Sequence, residues 1–103
     1  NIDKQRRIPL VRLSGERKKH IEESHPEMQD QIEKIVESLN DPEIIKESST
    51  DMSVELFYRF YTGTSVGNMY LCTVVKVLED DFFIITAYFT NKIKQGRTLW
   101  ERK

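Results

Sequence analysis

A chain of 103 residues, 38% hydrophobic and 32% charged, suits one globular domain spanning residues 1–103 and is too short to hold two. No apolar run approaches the ~20 residues of a membrane span, and no leader with an apolar centre and a small-residue cleavage site is read at the start. Cys72, the lone cysteine, excludes an internal disulfide and speaks against a thiolate metal site.

The formal charge of −1 hides segregation. Residues 1–20 carry seven bases against two acids, residues 21–55 two bases against eleven acids, and residues 56–103 seven bases against four acids. A protein coating long nucleic acid is more usually basic throughout. Any nucleic-acid contact is therefore expected in one local cationic cleft, with the acidic block left for a solvated face or a basic partner.

In chain order, Ile8 to Leu13 reads as a short extended segment, held to an edge or a strand start by Pro9. Ser14 offers an N-cap and Glu16 a first-turn carboxylate, so a helix is expected over about Gly15 to Ser24. Pro26 suits the first turn of a second helix. Met28, Ile32, Ile35, Val36 and Leu39 then recur at helical steps until Asn40-Asp41-Pro42. Glu43 to Lys46 is expected to form one more helical turn anchored by Ile44 and Ile45, and Ser48 to Asp51 a polar connector.

The period then changes. Val54 to Tyr61, Met69 to Leu78 and Phe82 to Tyr88 are dense in aromatic and β-branched residues and read as strands. Residues 62–68 form a flexible hairpin loop between the first two, and residues 79–81 a tight one between the next two. Leu99-Trp100 reads as a last short strand or a docking anchor. Cys72 lies within an apolar run, where a buried, inert thiol is expected. The expected fold is α+β, with two or three N-terminal helices packed on one face of a four-stranded antiparallel sheet.

Residues two apart on a strand share a face. Thr86, Tyr88 and Thr90 thus form a hydroxyl-bearing row backed by Ile85, Ala87 and Phe89, and Lys92 and Lys94 follow at once. With a turn at residues 79–81, Lys76 opposes Ile84, Val74 opposes Thr86 and Cys72 opposes Tyr88, which sets Lys76 on the hydroxyl face. A turn one residue shorter sends Lys76 to the other face.

His20 and His25 are the chain's only histidines. Imidazole joined to sheet-borne Arg, Lys, Tyr and Thr is the equipment of RNA cleavage without metal. A base takes the ribose 2′-OH proton, cations stabilise the charged phosphorane, and an acid protonates the departing 5′-oxygen.

His20-Ile21, His25-Pro26-Glu27, Leu39-Asn40-Asp41-Pro42 with Ile44, Leu56-Phe57-Tyr58-Arg59, Val74-Val75-Lys76, Thr86-Ala87-Tyr88-Phe89-Thr90 and Ile93-Lys94 together resemble a bacterial and phage-associated family. That family is assigned to the barnase–EndoU–colicin–RelE (BECR) nuclease class, and the resemblance covers roughly residues 17–100. It implies a helical part on a four-stranded antiparallel sheet and metal-independent ribonuclease activity, often that of a toxin. An arginine precedes the histidine of the family's usual His-Pro-Glu motif; Ser24 stands here and supplies no cation.

On this reading His25, or else His20, is the general base or acid. Arg59 and Lys76 hold the scissile phosphate, Tyr88 and Thr90 orient it or supply a proton, and Thr86, Lys92 and Lys94 line the backbone path. No cofactor is expected. RNA is the expected substrate and a protein inhibitor or antitoxin the expected partner, with the chain a monomer or weak dimer in the cytoplasm.

Each residue also has a structural alternative. His25 can cap the second helix, His20 can pack the first, and Arg59 can pair with the acidic helices or stack on aromatics. Tyr88 can be a half-buried strand aromatic, Thr86 and Thr90 ordinary strand formers, and Lys92 and Lys94 solvated. No His/Asp/Glu cluster has metal-ligand spacing, and no helix carries the dense basic face of a DNA reader. The competing class is a non-catalytic binding module that retains the fold and docks a protein through its acidic helices.

Overall fold

A computed structural model describes residues 10–103; Ile8 and Pro9 of the expected first extended segment lie outside the described residues. The chain runs β1 (Val11–Arg12), α1 (Gly15–Ser24), a 3₁₀ turn (Pro26–Met28), α2 (Ile32–Asn40), β2 (Ile44–Glu47), β3 (Val54–Thr64), β4 (Gly67–Val77), β5 (Phe82–Thr90) and β6 (Thr98–Glu101). It is an α+β domain, but the expectation of a four-stranded antiparallel sheet carrying two or three helices is overturned. Two α-helices accompany a six-stranded mixed sheet, ordered β1-β5-β4-β3-β2-β6. β1 runs parallel to β5, and all other neighbours are antiparallel.

The extra strands have local causes. Glu43 to Lys46 was expected as a helical turn, but Ile44 to Glu47 is a strand that pairs with Tyr58 to Glu55 of β3. Four residues after Pro42 are too few to sustain a helix, whereas β-branched Ile44 and Ile45 suit a pleated edge. Ile45 is thereby buried to 3% exposure. β6 then pairs with β2, and β1 adds two parallel rungs at Phe82 and Phe83.

α1 begins where Ser14 Oγ accepts the Arg17 N–H at 3.1 Å. The second helix is split. Asp30 at φ 62° takes a left-handed turn that a short polar side chain tolerates, and α2 restarts at Ile32. Ile21, Met28 and Ile35 pack on Phe57, Leu71, Val75, Ile84 and Ala87 to form the main core. Within the helix–sheet layer the buried Ser38 hydroxyl donates to the Ile35 carbonyl at 2.7 Å and accepts from the buried Thr73 hydroxyl at 2.7 Å.

A second cluster occupies the opposite sheet face: Leu56, Tyr58, Cys72 and Val74, with Ile44, Tyr70, Ile85, Tyr88 and Ile93 against them. Its cover comes from the chain itself. To pass from β5 to β6 the segment 91–97 must clear β4, β3 and β2. Four interstrand steps of ~4.8 Å make roughly 19 Å, and the segment fully extended reaches roughly 23 Å. It is therefore a nearly taut strap. Ile93 packs into the second cluster, and the Lys94 N–H donates to Tyr58 Oη at 3.0 Å. At the far end a Cβ on Gly96 would lie 2.2 Å from the Glu47 carbonyl oxygen, and its φ of 152° suits glycine, so only glycine lets the strap close on β2.

Candidate functional site

The groups singled out in the sequence divide between two faces and one edge. Because β1 covers β5 only at Phe82 and Phe83, the rest of that edge is free of strand partners among the described residues. His25 stands there. Its N–H caps α1 by donating to the Ile21 carbonyl at 2.7 Å, and its own carbonyl accepts the Met28 N–H at 2.8 Å. Pro26 disfavours helix at His25, which fixes the kink between the two helical pieces. The imidazole lies 5.5 Å from the Tyr88 ring between centroids, tilted by 32°. Glu27 Oε2 is 3.9 Å from His25 Nδ1, too far for a hydrogen bond, and the imidazole keeps 35% of its surface open to solvent.

Tyr88 is the hub. The strap brings Lys94 Nζ to 5.8 Å from the same ring's centroid. Tyr88 pairs in register with Cys72, and Cys72 with Tyr58, so two phenols and a thiol form one row across β5, β4 and β3. Burial raises the pKa of both phenols well above the ordinary value, and the neighbouring Cys72 reinforces the rise. Burial pushes the Cys72 thiol up to about 11, offset by the hydroxyls of Tyr88 and Tyr58. The thiol is inert, as expected of a buried cysteine. The Tyr88 hydroxyl is buried against it without a hydrogen bond of acceptable geometry.

Thr86 and Thr90 share Tyr88's face, as the alternation required: Thr86 lies opposite Val74 and Thr90 opposite Tyr70. Thr90 Oγ1 accepts the Lys92 N–H at 3.2 Å, so this hydroxyl shapes the turn into the strap. Lys92 and Lys94 are exposed.

Lys76 opposes Phe83 rather than Ile84. A bulge at Ile85 sets Val74 opposite Thr86 but Val75 opposite Ile84, and it carries Ile85 to the second cluster and Ile84 to the main core. Lys76 remains on the hydroxyl face, yet its Nζ is held at 2.9 Å by Asp51 Oδ2. Hydrogen bonds from Ser53 and Lys76 hold the Asp51 carboxyl far below the usual range.

Arg59 does not join the others. It follows Phe57 by two residues and so faces the helices. There Nη1 donates to the Asp41 carbonyl at 2.7 Å and to Asp41 Oδ2 at 3.0 Å, and Nε sits 3.5 Å from Glu37 Oε1. Tyr88 packs on the opposite face. His20 is exposed on α1, and among the described residues no hydrogen bond, ion pair or ring contact joins it to the His25 group.

The structure thus gathers His25, Tyr88 and Lys94, with Thr86, Thr90 and Lys92 beside them, and separates Arg59. Sequence reading missed Tyr58 and the strap. The Cys72–Tyr88 pairing was available as a signal, whereas the path of residues 91–97 has no periodicity to reveal it. Among the described residues no group of three or more His, Cys, Asp or Glu is arranged to hold a metal ion, and no helix is long and apolar enough to cross a membrane. Set against known proteins, the chain matches no family model, no curated protein and no solved structure.

Proposed function

We propose that this chain is a metal-independent endoribonuclease acting on cytoplasmic RNA, with its working groups at the free edge of β5. The observation that carries the reading is the meeting of a part-exposed imidazole, His25, and an ammonium, Lys94, on one tyrosine ring. His25 takes the 2′-OH proton, and the freed oxygen attacks the adjacent phosphorus. Lys94 neutralises the charge that develops on the phosphorane and hands a proton to the departing 5′-oxygen. The products are a 2′,3′-cyclic phosphate and a 5′-hydroxyl. Tyr88 orients both groups, while Lys92 and Thr90 hold the flanking backbone. Arg59 has no part in this centre, since two carboxylates already engage it on the helix side.

A mixed RNA pool incubated in chelator tests the reading. Wild type is expected to leave cyclic-phosphate ends, with His25→Ala and Lys94→Ala each losing activity by about 10²-fold or more and Arg59→Lys retaining it. No cleavage by wild type, or undiminished cleavage by both variants, refutes the proposal.

One observation favours a second reading, a non-catalytic protein-binding module: Arg59 and Lys76 are each neutralised by carboxylates. Expression separates the two readings. A potent ribonuclease arrests its host unless an inhibitor is present, whereas a binding module gives good yields of unmutated protein.

A further inference from the structure

On the strap-covered face lies a hollow of about 260 Å³, lined by Glu43, Ile44, Tyr70, Ile93, Glu101 and Arg102. We infer that it receives the arginine side chain of a protein partner. The inference goes beyond the ribonuclease reading and stands whether or not the chain cuts RNA.

The walls match the parts of that side chain. Tyr70 supplies a ring whose orientation is fixed by two others, Tyr58 at 6.2 Å between centroids and 88°, and Phe60 at 5.1 Å and 71°. A guanidinium plane stacks on such a ring. Ile44 and Ile93 supply apolar walls for the methylene stem of an arginine, whose head stays among polar groups. The volume falls below the ~300–1,000 Å³ of clefts for drug-sized ligands, so it suits one side chain rather than a folded segment.

Charge sets the sign of the ligand. Two carboxylates, Glu43 and Glu101, share the lining with one guanidinium, and Arg102 is already held by the Asp41 carboxylate and by the Asp41 and Pro42 carbonyls. Glu43 Oε2 accepts the Phe60 N–H at 3.1 Å, which holds that carboxylate in place. Glu101 is exposed, and among the described residues no ion pair engages it. This balance repels phosphate and attracts a cation. A divalent metal ion finds too few donors, since among the described residues no three His, Cys, Asp or Glu side chains are arranged to hold one. Among organic cations, the planar fork of a guanidinium suits a ring and two carboxylates together. The ammonium of lysine is compact and more strongly hydrated.

The lining also indicates the source. Free arginine brings an α-carboxylate, and the one cation in the lining is already engaged by Asp41. Glu43 and Glu101 therefore repel that end of the free amino acid. An arginine within a polypeptide has no such group. A partner seated here also lies against the strap, because Ile93 belongs to both.

Titrating the whole chain with the capped peptide acetyl-Gly-Arg-Gly-amide, while following the Ile44 and Ile93 methyl and Tyr70 ring resonances, reads binding apart from any cleavage. The arginine peptide is expected to shift these resonances. It should bind at least about tenfold more tightly than the same peptide carrying citrulline, which keeps the shape and loses the charge. The lysine version and free L-arginine are each expected to bind about threefold or more weakly than the arginine peptide. Tyr70→Ala is expected to weaken the arginine peptide about threefold or more, and Tyr70→Phe, which keeps the ring and its bracing, to bind as wild type. Glu101→Gln, at an exposed position that leaves the core intact, is expected to weaken it about threefold. Should Tyr70→Ala fail to fold, the Glu101→Gln variant decides. Shifts that are absent, spread elsewhere or equal for arginine and citrulline overturn the inference, as does undiminished binding by Glu101→Gln. Inorganic phosphate shifting the same resonances overturns it too, because Arg102 would then govern the hollow. Free L-arginine that binds as tightly as the peptide overturns the protein partner.

Discussion

Tyr58→Phe tests whether the strap is fastened where the geometry places it. Tyr58 is fully buried, and its hydroxyl accepts the Lys94 N–H at 3.0 Å. Replacing it with phenylalanine keeps the ring, its edge contact with Tyr70 and the packing of the second cluster, so no cavity forms. What is lost is the hydrogen bond to the Lys94 N–H, with a net contribution of about 0.5–1.5 kcal/mol, together with the hydroxyl's weak contact with the Cys72 thiol. The full cost of an orphaned amide does not apply, because Lys94 is exposed and water can reach its N–H once the strap lifts. Destabilisation of about 1 kcal/mol is therefore expected. For a domain of this size that lowers the melting temperature by roughly 4–8 °C. The global value alone does not locate the loss, so amide hydrogen exchange is the decisive assay. Protection should fall at Lys94 and its neighbours in the strap while the amides of β4, inside the sheet, keep theirs relative to the new global stability. An unchanged exchange rate at Lys94 would show that the strap is held by something else, and the placement of Lys94 on Tyr88 would lose its support.

Further outcomes follow from other parts of the molecule. Ser38→Ala alone strands the buried Thr73 hydroxyl and should cost about 1–3 kcal/mol, whereas Ser38→Ala with Thr73→Val removes both partners and should cost clearly less than the sum of the singles; a urea double-mutant cycle reads the coupling. Gly96→Ala drives a methyl into the Glu47 carbonyl and should destabilise more than Gly63→Ala, whose Cβ meets nothing within 4 Å and whose positive φ alone costs about 1 kcal/mol; thermal melts compare them. The Asp51 carboxyl is held below its unfolded value by Ser53 and Lys76, so its contribution is complete above the usual carboxylate range of ~4 and is lost as pH falls below it. Asp51→Asn should flatten the acid side of the stability profile measured by denaturation at stepped pH. Cys72, fully buried with its acidity suppressed, should resist a thiol reagent in native protein and react at once in denaturant.

The sequence was legible where one signal acted alone. Ser14 and Glu16 marked the start of α1, Asn40-Asp41-Pro42 the end of α2, and the acidic turn after Leu78 the pairing of Val74 with Thr86 and Cys72 with Tyr88. It was illegible where a tertiary partner decided. Ile44 to Glu47 carries no strand alternation, and it became a strand because β3 offered an edge. Val11–Arg12 falls within the extended segment expected over Ile8 to Leu13, and Thr98–Glu101 contains Leu99-Trp100, read as a last short strand or docking anchor, but nothing in either stretch named the strand it would border. The bulge at Ile85 leaves no mark in a run of four apolar residues, yet it moves Lys76 one partner along.

Arg59 shows why the candidate site could be read only in part. Alternation tells which residues share a face when one face is apolar and the other polar, but β3 buries both. Leu56 and Tyr58 pack into one cluster, while Phe57 packs into the other. With apolar residues at both parities, the strand gives no clue to which side is open, and a cation at its end can belong to either. Its destination was set instead by charge. Glu37 and Asp41 at the end of α2 stand over the odd-numbered face, and an unpaired guanidinium there would have cost more than one left in water. The hydroxyl row kept its face because β5 has a free edge beside it, and the imidazole reached it around that edge. The stretch of the β5 edge that β1 leaves without a strand partner thus lets His25 meet Tyr88, and Lys94, brought to the same ring by the strap, stands where Arg59 does not reach.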